Sequence, residues 1–375
     1  MTVASPETVV GGSDATSRND VASVAEPVDR HANYLATRTF GSLDGLRALS
    51  IIAVLWHHTD RAGYGAIIAA RGFLGVDLFF VISGFLIVTL LLRERRRTGE
   101  ISLKGFYVRR FLRIFPPYYF MLAVVAATAW LKPGKGSAGL LADLPYALAY
   151  VSNMVPMHGL LSITWSLSTE EQFYVAVPAL EKHARRFVPF VLPAVYVLVS
   201  LPPYGVWSAL ELPSFFRETT FGPILLGVML AHVLDSRTGF ALAWRVLGHR
   251  LTPLATGVIL VLALNHPTDD ISGWPRVLIH GAMVLFVASC VLRERHVLAP
   301  VLAFWPLRRI GTVSYGIYLY HMLTWYFVNR AMSWVGLRSQ PLFFVANAAA
   351  SWAVAELSYH FIESKALALK ARFSA

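Results

Sequence analysis

Residues 72–97 read GFLGVDLFFVISGFLIVTLLLRERRR. The first 21 carry one charge, Asp77, and the last five are four arginines around a glutamate. About 20 apolar residues in a helix cross the ~30 Å hydrocarbon core of a bilayer. A basic cluster directly after such a stretch marks its cytoplasmic end. Working outward, further apolar segments recur at 44–61, 112–131, 164–180, 187–204, 219–235, 251–265, 275–292, 310–328 and 341–362. Several are shorter than an untilted span requires.

Composition agrees. The 375 residues are 56% hydrophobic and 15% charged, with a mean hydropathy of +0.54, whereas soluble domains are about 45–50% apolar and about 25% charged. Disorder and collagen are excluded, and a single cysteine, Cys290, excludes a disulfide scaffold. The +11 net charge fits either nucleic acid or membrane topology. With the N-terminus placed inside, 21 of the 33 basic residues fall in turns expected to face the cytoplasm and 8 in outer loops. That bias is the positive-inside rule at work, so no nucleic-acid partner is expected.

The expected fold is therefore an all-α integral membrane protein of about ten transmembrane helices, with both termini cytoplasmic. Residues 1–40 read as a disordered cytoplasmic tail, 41–365 as the membrane domain and 366–375 as a C-terminal tail. The apolar segment 144–158 reads as re-entrant or interfacial, because a full span there would break the charge alternation. No transporter-type internal repeat is evident.

Ionisable groups at bilayer depth are costly and mark function by default. Here they are Asp44, Arg47, His57, His58, Asp77, Glu170, Glu171, His232, His280, His321, Glu356 and His360. Arg47 and His58 stand 11 residues apart, which returns to within about 20° on a helix, so they share a face. His57 points about 80° away from Arg47. Asp44 lies at the i,i+3 position for an ion pair with Arg47. Depth along three helices places His58, Asp77 and Glu170 at similar height. Ser168 and Glu171 have the spacing of a capping box, giving Glu171 a structural role, whereas Glu170 has none. His232 and His280 stand alone and suit packing or an interhelical hydrogen bond. Cys290 reads as a small packed hydrophobe. No His or Cys spacing fits a metal site, and no metal is expected. On the cytoplasmic side, Arg110 and Arg113 lie three apart on an aromatic helix, where two guanidinium groups can grip phosphates. Membrane lipid headgroups fit that geometry nearly as well.

Five segments together resemble the membrane acyltransferase-3 family of integral-membrane O-acyltransferases. They are Leu43-Asp44-Gly45-Leu46-Arg47-Ala48-Leu49 with His58 eleven residues beyond Arg47, the run Gly75 to Phe85, Arg110-x-x-Arg113-Ile114-x-Pro116, Trp165-Ser166-Leu167-x-x-Glu170-x-x-Phe173-Tyr174, and Ser314 to Leu319 ending in His321. The resemblance implies acyl transfer from cytoplasmic acyl-CoA, acetyl-CoA first, to a hydroxyl of a surface polysaccharide, cell-wall glycan or exopolysaccharide outside the bacterial cytoplasmic (inner) membrane. An alternative acceptor is a secreted small molecule such as a glycosylated antibiotic, and a transporter or flippase is the non-enzyme alternative. By the same resemblance Arg47 and His58 match the functional pair, and Arg110 and Arg113 the donor-side arginines. The chain ends at Ala375, which gives the expectation that it lacks the extracytoplasmic hydrolase-like domain of some relatives.

A coherent chemistry follows from these residues. Arg110, Arg113 and Arg47 would dock the donor phosphates, and His58 would be the general base, with His57 next in line. Glu170 or Asp77 would orient His58 or hold the acceptor, with His321 a further candidate. Trp165, Tyr174, Ser83 and His57 are the candidate substrate contacts, Tyr174 and Ser83 as oxyanion donors.

Overall fold

The computed structural model describes residues 29–60, 70–131, 134–200, 221–267, 271 and 273–369. Among them are helices and turns and no strand. In chain order the helices are α1 (Arg30–Ala36), α2 (Gly41–Thr59), α3 (Gly75–Thr98), α4 (Leu103–Leu131), α5 (Lys135–Leu148), α6 (Thr164–His183), α7 (Val188–Ser200) and α8 (Gly222–Asp235). They continue with α9 (Arg237–Leu247), α10 (Thr252–Leu264), α11 (Trp274–Leu292), α12 (Ala299–Leu302), α13 (Trp305–Thr312), α14 (Ser314–Trp334), α15 (Gln340–Ser358) and α16 (Ser364–Ala368).

Four stretches are long and apolar enough to cross a membrane: Gly72–Thr98, Leu103–Leu131, Trp274–Leu292 and Gln340–Ala368. Two bent pairs, α1 with α2 at 63° and α8 with α9 at 103°, raise the number to six. Ten were expected, and the difference has physical causes. The helices α7 and α10 have 13 residues each, about 20 Å at the α-helical rise and short of the ~30 Å core. Helix α6 is diluted by Glu170, Glu171, Glu181 and Lys182. The 310–328 segment is divided at Val313 between α13 and α14, and α14, at 21 residues, is long enough to cross but not apolar enough. The ends of the expected spans at 61, 201–204 and 219–220 lie outside the described residues, as do residues 1–28 and 370–375 of the two tails.

Residues 29–40 depart from the tail reading. Asp29 caps α1 by accepting from the backbone N–H groups of His31 and Ala32, and Tyr34 is buried in the core.

The core is helix on helix, drawn together at glycines. A Cβ at Gly84 of α3 would fall inside the Ile224 carbonyl oxygen of α8, and one at Gly227 of α8 would fall inside the Val81 carbonyl of α3. Each helix thus rests on the other's backbone, the small-residue contact that lets membrane helices approach. The start of α2 is held the same way, with Gly45 against Leu302 and Gly311 against Asp44. These contacts fix Asp44, Arg47 and Ser83 before any side chain of the site is considered. Helix α14 is tied to α4 by the Tyr315 hydroxyl, which donates to the Ile114 carbonyl at 3.0 Å.

Candidate functional site

A cavity of about 810 Å³ opens between α2, α3, α4, α6 and α14. Along α3 its lining runs from Val76 to Arg97, a distance of about 30 Å at the helical rise, so it is long rather than round. One end is rimmed by Arg38, Arg93, Arg96, Arg97 and Arg109. Arg47, Arg110 and Arg113 lie on its walls with Ser83, Glu170 and Tyr174, and Ser166, Phe79, Phe80 and Tyr318 line the other end.

The polar groups within it are ordered. The Ser83 hydroxyl donates to Glu170 Oε1 at 2.7 Å and lies 3.2 Å from the Tyr174 hydroxyl. The Arg110 guanidinium stands 5.2 Å over the Tyr174 ring and 5.6 Å from the Phe106 ring, within cation–π range. Arg47 makes the expected ion pair with Asp44 at 3.2 Å. Neither Arg110 nor Arg113 has a carboxylate within ion-pair distance among the described residues, so both charges remain available to an anionic guest.

His58 lies outside this lining. Its Nδ1 is 3.0 Å from the Val54 carbonyl oxygen. A carbonyl only accepts, so Nδ1–H donates and Nε2 keeps its lone pair. His321 is fully buried and has the same arrangement, with Nδ1–H donating to the Tyr318 carbonyl at 2.6 Å. Its Nε2 has no partner among the described residues. The two rings meet edge to face at 4.8 Å, and the His57 ring lies 5.2 Å from that of His58. Tyr318 joins the parts: it lines the cavity, its hydroxyl lies 2.6 Å from that of Ser166, and its ring is 5.4 Å from His321.

Three expected roles change. Asp77 does not orient His58: its Oδ2 accepts from Arg276 at 2.9 Å and from His280 Nε2 at 3.0 Å. The height estimate gave position along the helix but not direction around it. Asp77 precedes Ser83 by six residues, about 120° away on α3, so the two face different neighbours. Glu170 does not orient His58 either, being engaged by Ser83; the Val54 carbonyl does so. The Ser168–Glu171 capping box is absent because α6 begins four residues earlier, at Thr164. Ser168 instead lies 2.7 Å from the Ser152 hydroxyl, and Glu171 Oε1 is buried without a partner among the described residues.

Trp165 is not itself in the cavity lining but packs edge-on against one of its residues, Phe80, at 6.1 Å. His232 pairs with buried Glu181 at 2.6 Å, and Glu356 accepts from Arg309 at 2.7 Å and from Trp352 at 3.0 Å. Cys290 is buried. No group of three potential metal ligands occurs among the described residues. Sequence reasoning did not single out Tyr318 and Ser166, which appear only within the segments quoted for the family resemblance, or Arg38, which fell in the tail.

A helical chain with an arginine-mouthed cavity leading toward a histidine pair corresponds to a known class: the family model of the acyltransferase domain matches residues 40–356, and the chain belongs to the acyltransferase-3 family. More particularly, it is 31% identical over 354 residues to the peptidoglycan O-acetyltransferase OatA of Listeria monocytogenes, covering 86% of this chain and 55% of that protein. It is 29% identical over 354 residues to the O-acetyltransferase OatA of Staphylococcus aureus, covering 87% and 57%. The chain thus spans little more than half the length of these curated relatives. No solved structure matches it.

Proposed function

We propose that the protein is an integral-membrane O-acyltransferase that moves an acetyl group from acetyl-CoA to a hydroxyl of a cell-wall glycan. The observation that carries this reading is the long cavity, cationic at one end and lined at the other by Tyr318, whose ring is 5.4 Å from that of His321, which in turn meets His58 at 4.8 Å. A donor inserted thioester first leaves its phosphates among Arg47, Arg110 and Arg113. The acceptor reaches His58 from the opposite side, and His58 Nε2 takes its hydroxyl proton as the oxygen attacks the thioester carbonyl. The thioester sulfur then leaves with CoA. With the Ser83 proton given to Glu170 and the Tyr318 proton to the Ile163 carbonyl, the Tyr174 hydroxyl is the donor on the cavity wall that would stabilise the intermediate oxyanion. The same reading takes the ten apolar segments as ten crossings of the bacterial cytoplasmic membrane with both termini inside, so that donor and acceptor meet from opposite faces. The relatives' names support acetyl as the group and peptidoglycan as the acceptor class.

The test incubates detergent-purified protein with radiolabelled acetyl-CoA, with and without glycan strands from cell-wall peptidoglycan. Label transferred to glycan and acceptor-dependent release of CoA are expected. Absence of CoA release from folded protein with any acyl-CoA would overturn the reading. Arg110→Ala and Arg113→Ala are each expected to raise KM for acetyl-CoA about 10- to 100-fold, the loss of one charge-assisted contact. An unchanged KM in both would remove the phosphate-docking role.

A further inference from the structure

The family match begins at residue 40, yet residues just before it form part of the cavity wall. Helix α1 is firmly docked. The Arg93 guanidinium donates to the Thr37 carbonyl and, at 3.1 Å, to the Tyr34 carbonyl. The same guanidinium stands 5.1 Å from the Phe40 ring. Tyr34 is buried against Phe240, ring centroids 5.3 Å apart, and His31 Nε2 lies 3.2 Å from the Leu234 carbonyl. So held, α1 turns through 63° into α2, and at that bend Leu35, Ala36, Thr37 and Arg38 line the mouth of the cavity.

The mouth arginines differ in what they are free to do. Arg93 is spent on holding α1, Arg96 is paired with Asp235, and Arg109 with Glu94 at 3.4 Å. Arg38 is exposed, lines the cavity and has no carboxylate within ion-pair distance among the described residues. An uncommitted cation at the rim, with two more on the cavity walls, suits a guest carrying anionic groups at two depths. A guanidinium recognises a phosphomonoester dianion well.

We propose that residues 29–39 form a strap across the donor entrance, and that Arg38 at its end binds the outermost phosphate of the donor, the 3′-phosphate on the ribose of acyl-CoA. This assignment rests on the acyl-CoA reading above. The diphosphate lies deeper, within reach of Arg110 and Arg113. Because Arg38 is exposed, its contribution is modest and screened by salt.

The test compares KM for acetyl-CoA and for 3′-dephospho-acetyl-CoA in the wild type, Arg38→Ala and Arg38→Lys, at low and high ionic strength. The wild type is expected to prefer acetyl-CoA about five- to tenfold in KM at low salt. Arg38→Ala is expected to lose that preference and Arg38→Lys to keep part of it, with the effect on KM rather than kcat. Discrimination that survives intact in Arg38→Ala, or a wild type that does not discriminate, would overturn the assignment while leaving the donor reading standing. A wild type that turns over neither compound would overturn both.

Discussion

Replacing His58 by alanine is expected to reduce acetyl transfer by a factor of about 10² to 10⁴, the range over which a positioned general base acts. The expectation rests on tautomer. With Nδ1–H committed to the Val54 carbonyl at 3.0 Å, Nε2 is the only basic atom the ring can offer. The side chain is half-buried and its ring touches those of His57 and His321, so recovery of folded protein is to be checked alongside activity. His321→Gln is the informative companion, since His321 presents the same tautomer 4.8 Å away, ring to ring. A fall of tenfold or more in kcat with KM for acetyl-CoA unchanged would show that the pair works together. Full activity in His58→Ala would move the base elsewhere, to His57 first.

The largest expected effect on stability lies far from any reacting atom. Gly84→Val or Gly227→Val should cost more than ~3 kcal/mol, beyond the usual 1–3 kcal/mol for overpacking, because the added carbons meet backbone that cannot rotate aside. The measurement is the melting temperature and monodisperse yield in detergent. Gly281→Ala in α11 is the control, since a Cβ there meets nothing within 4 Å and alanine favours the helix by up to ~1 kcal/mol. Equal loss in the control would mean that glycine is needed for some reason other than close approach. The same α3–α8 contact carries Ser83, next to Gly84, so a partly tolerated change at Gly84 should also disturb the Ser83–Glu170 hydrogen bond.

These residues show how far the chain could be read in advance. Arg110 and Arg113 were legible because three-residue spacing on one helix fixes a shared face whatever packs against it, and Asp44 with Arg47 for the same reason. Asp77 was not legible, since its partner is 199 positions away on α11 and nothing local says which way α3 is rotated. The membrane class followed from composition, and the helical class from the length of the apolar stretches. The number of helices long and apolar enough by themselves to cross a membrane, four to six among the described residues, did not, because α7 and α10 are apolar but short and α6 is long enough but polar. Helix α1 was hidden by its surroundings: one buried tyrosine and an asparagine-containing turn of sequence do not outweigh a polar, Ser- and Thr-rich segment until Arg93 is seen to hold them.

Tyr318 stands between the cavity and His321, and on the proposed reading that has a bioenergetic meaning. The thing that crosses from one side to the other is two carbons long and covalently carried throughout. No hole wide enough for a hydrated ion is needed at any stage. On that reading Tyr318, its hydroxyl 2.6 Å from that of Ser166, would let acetyl groups be passed across a membrane that must at the same time hold its proton gradient.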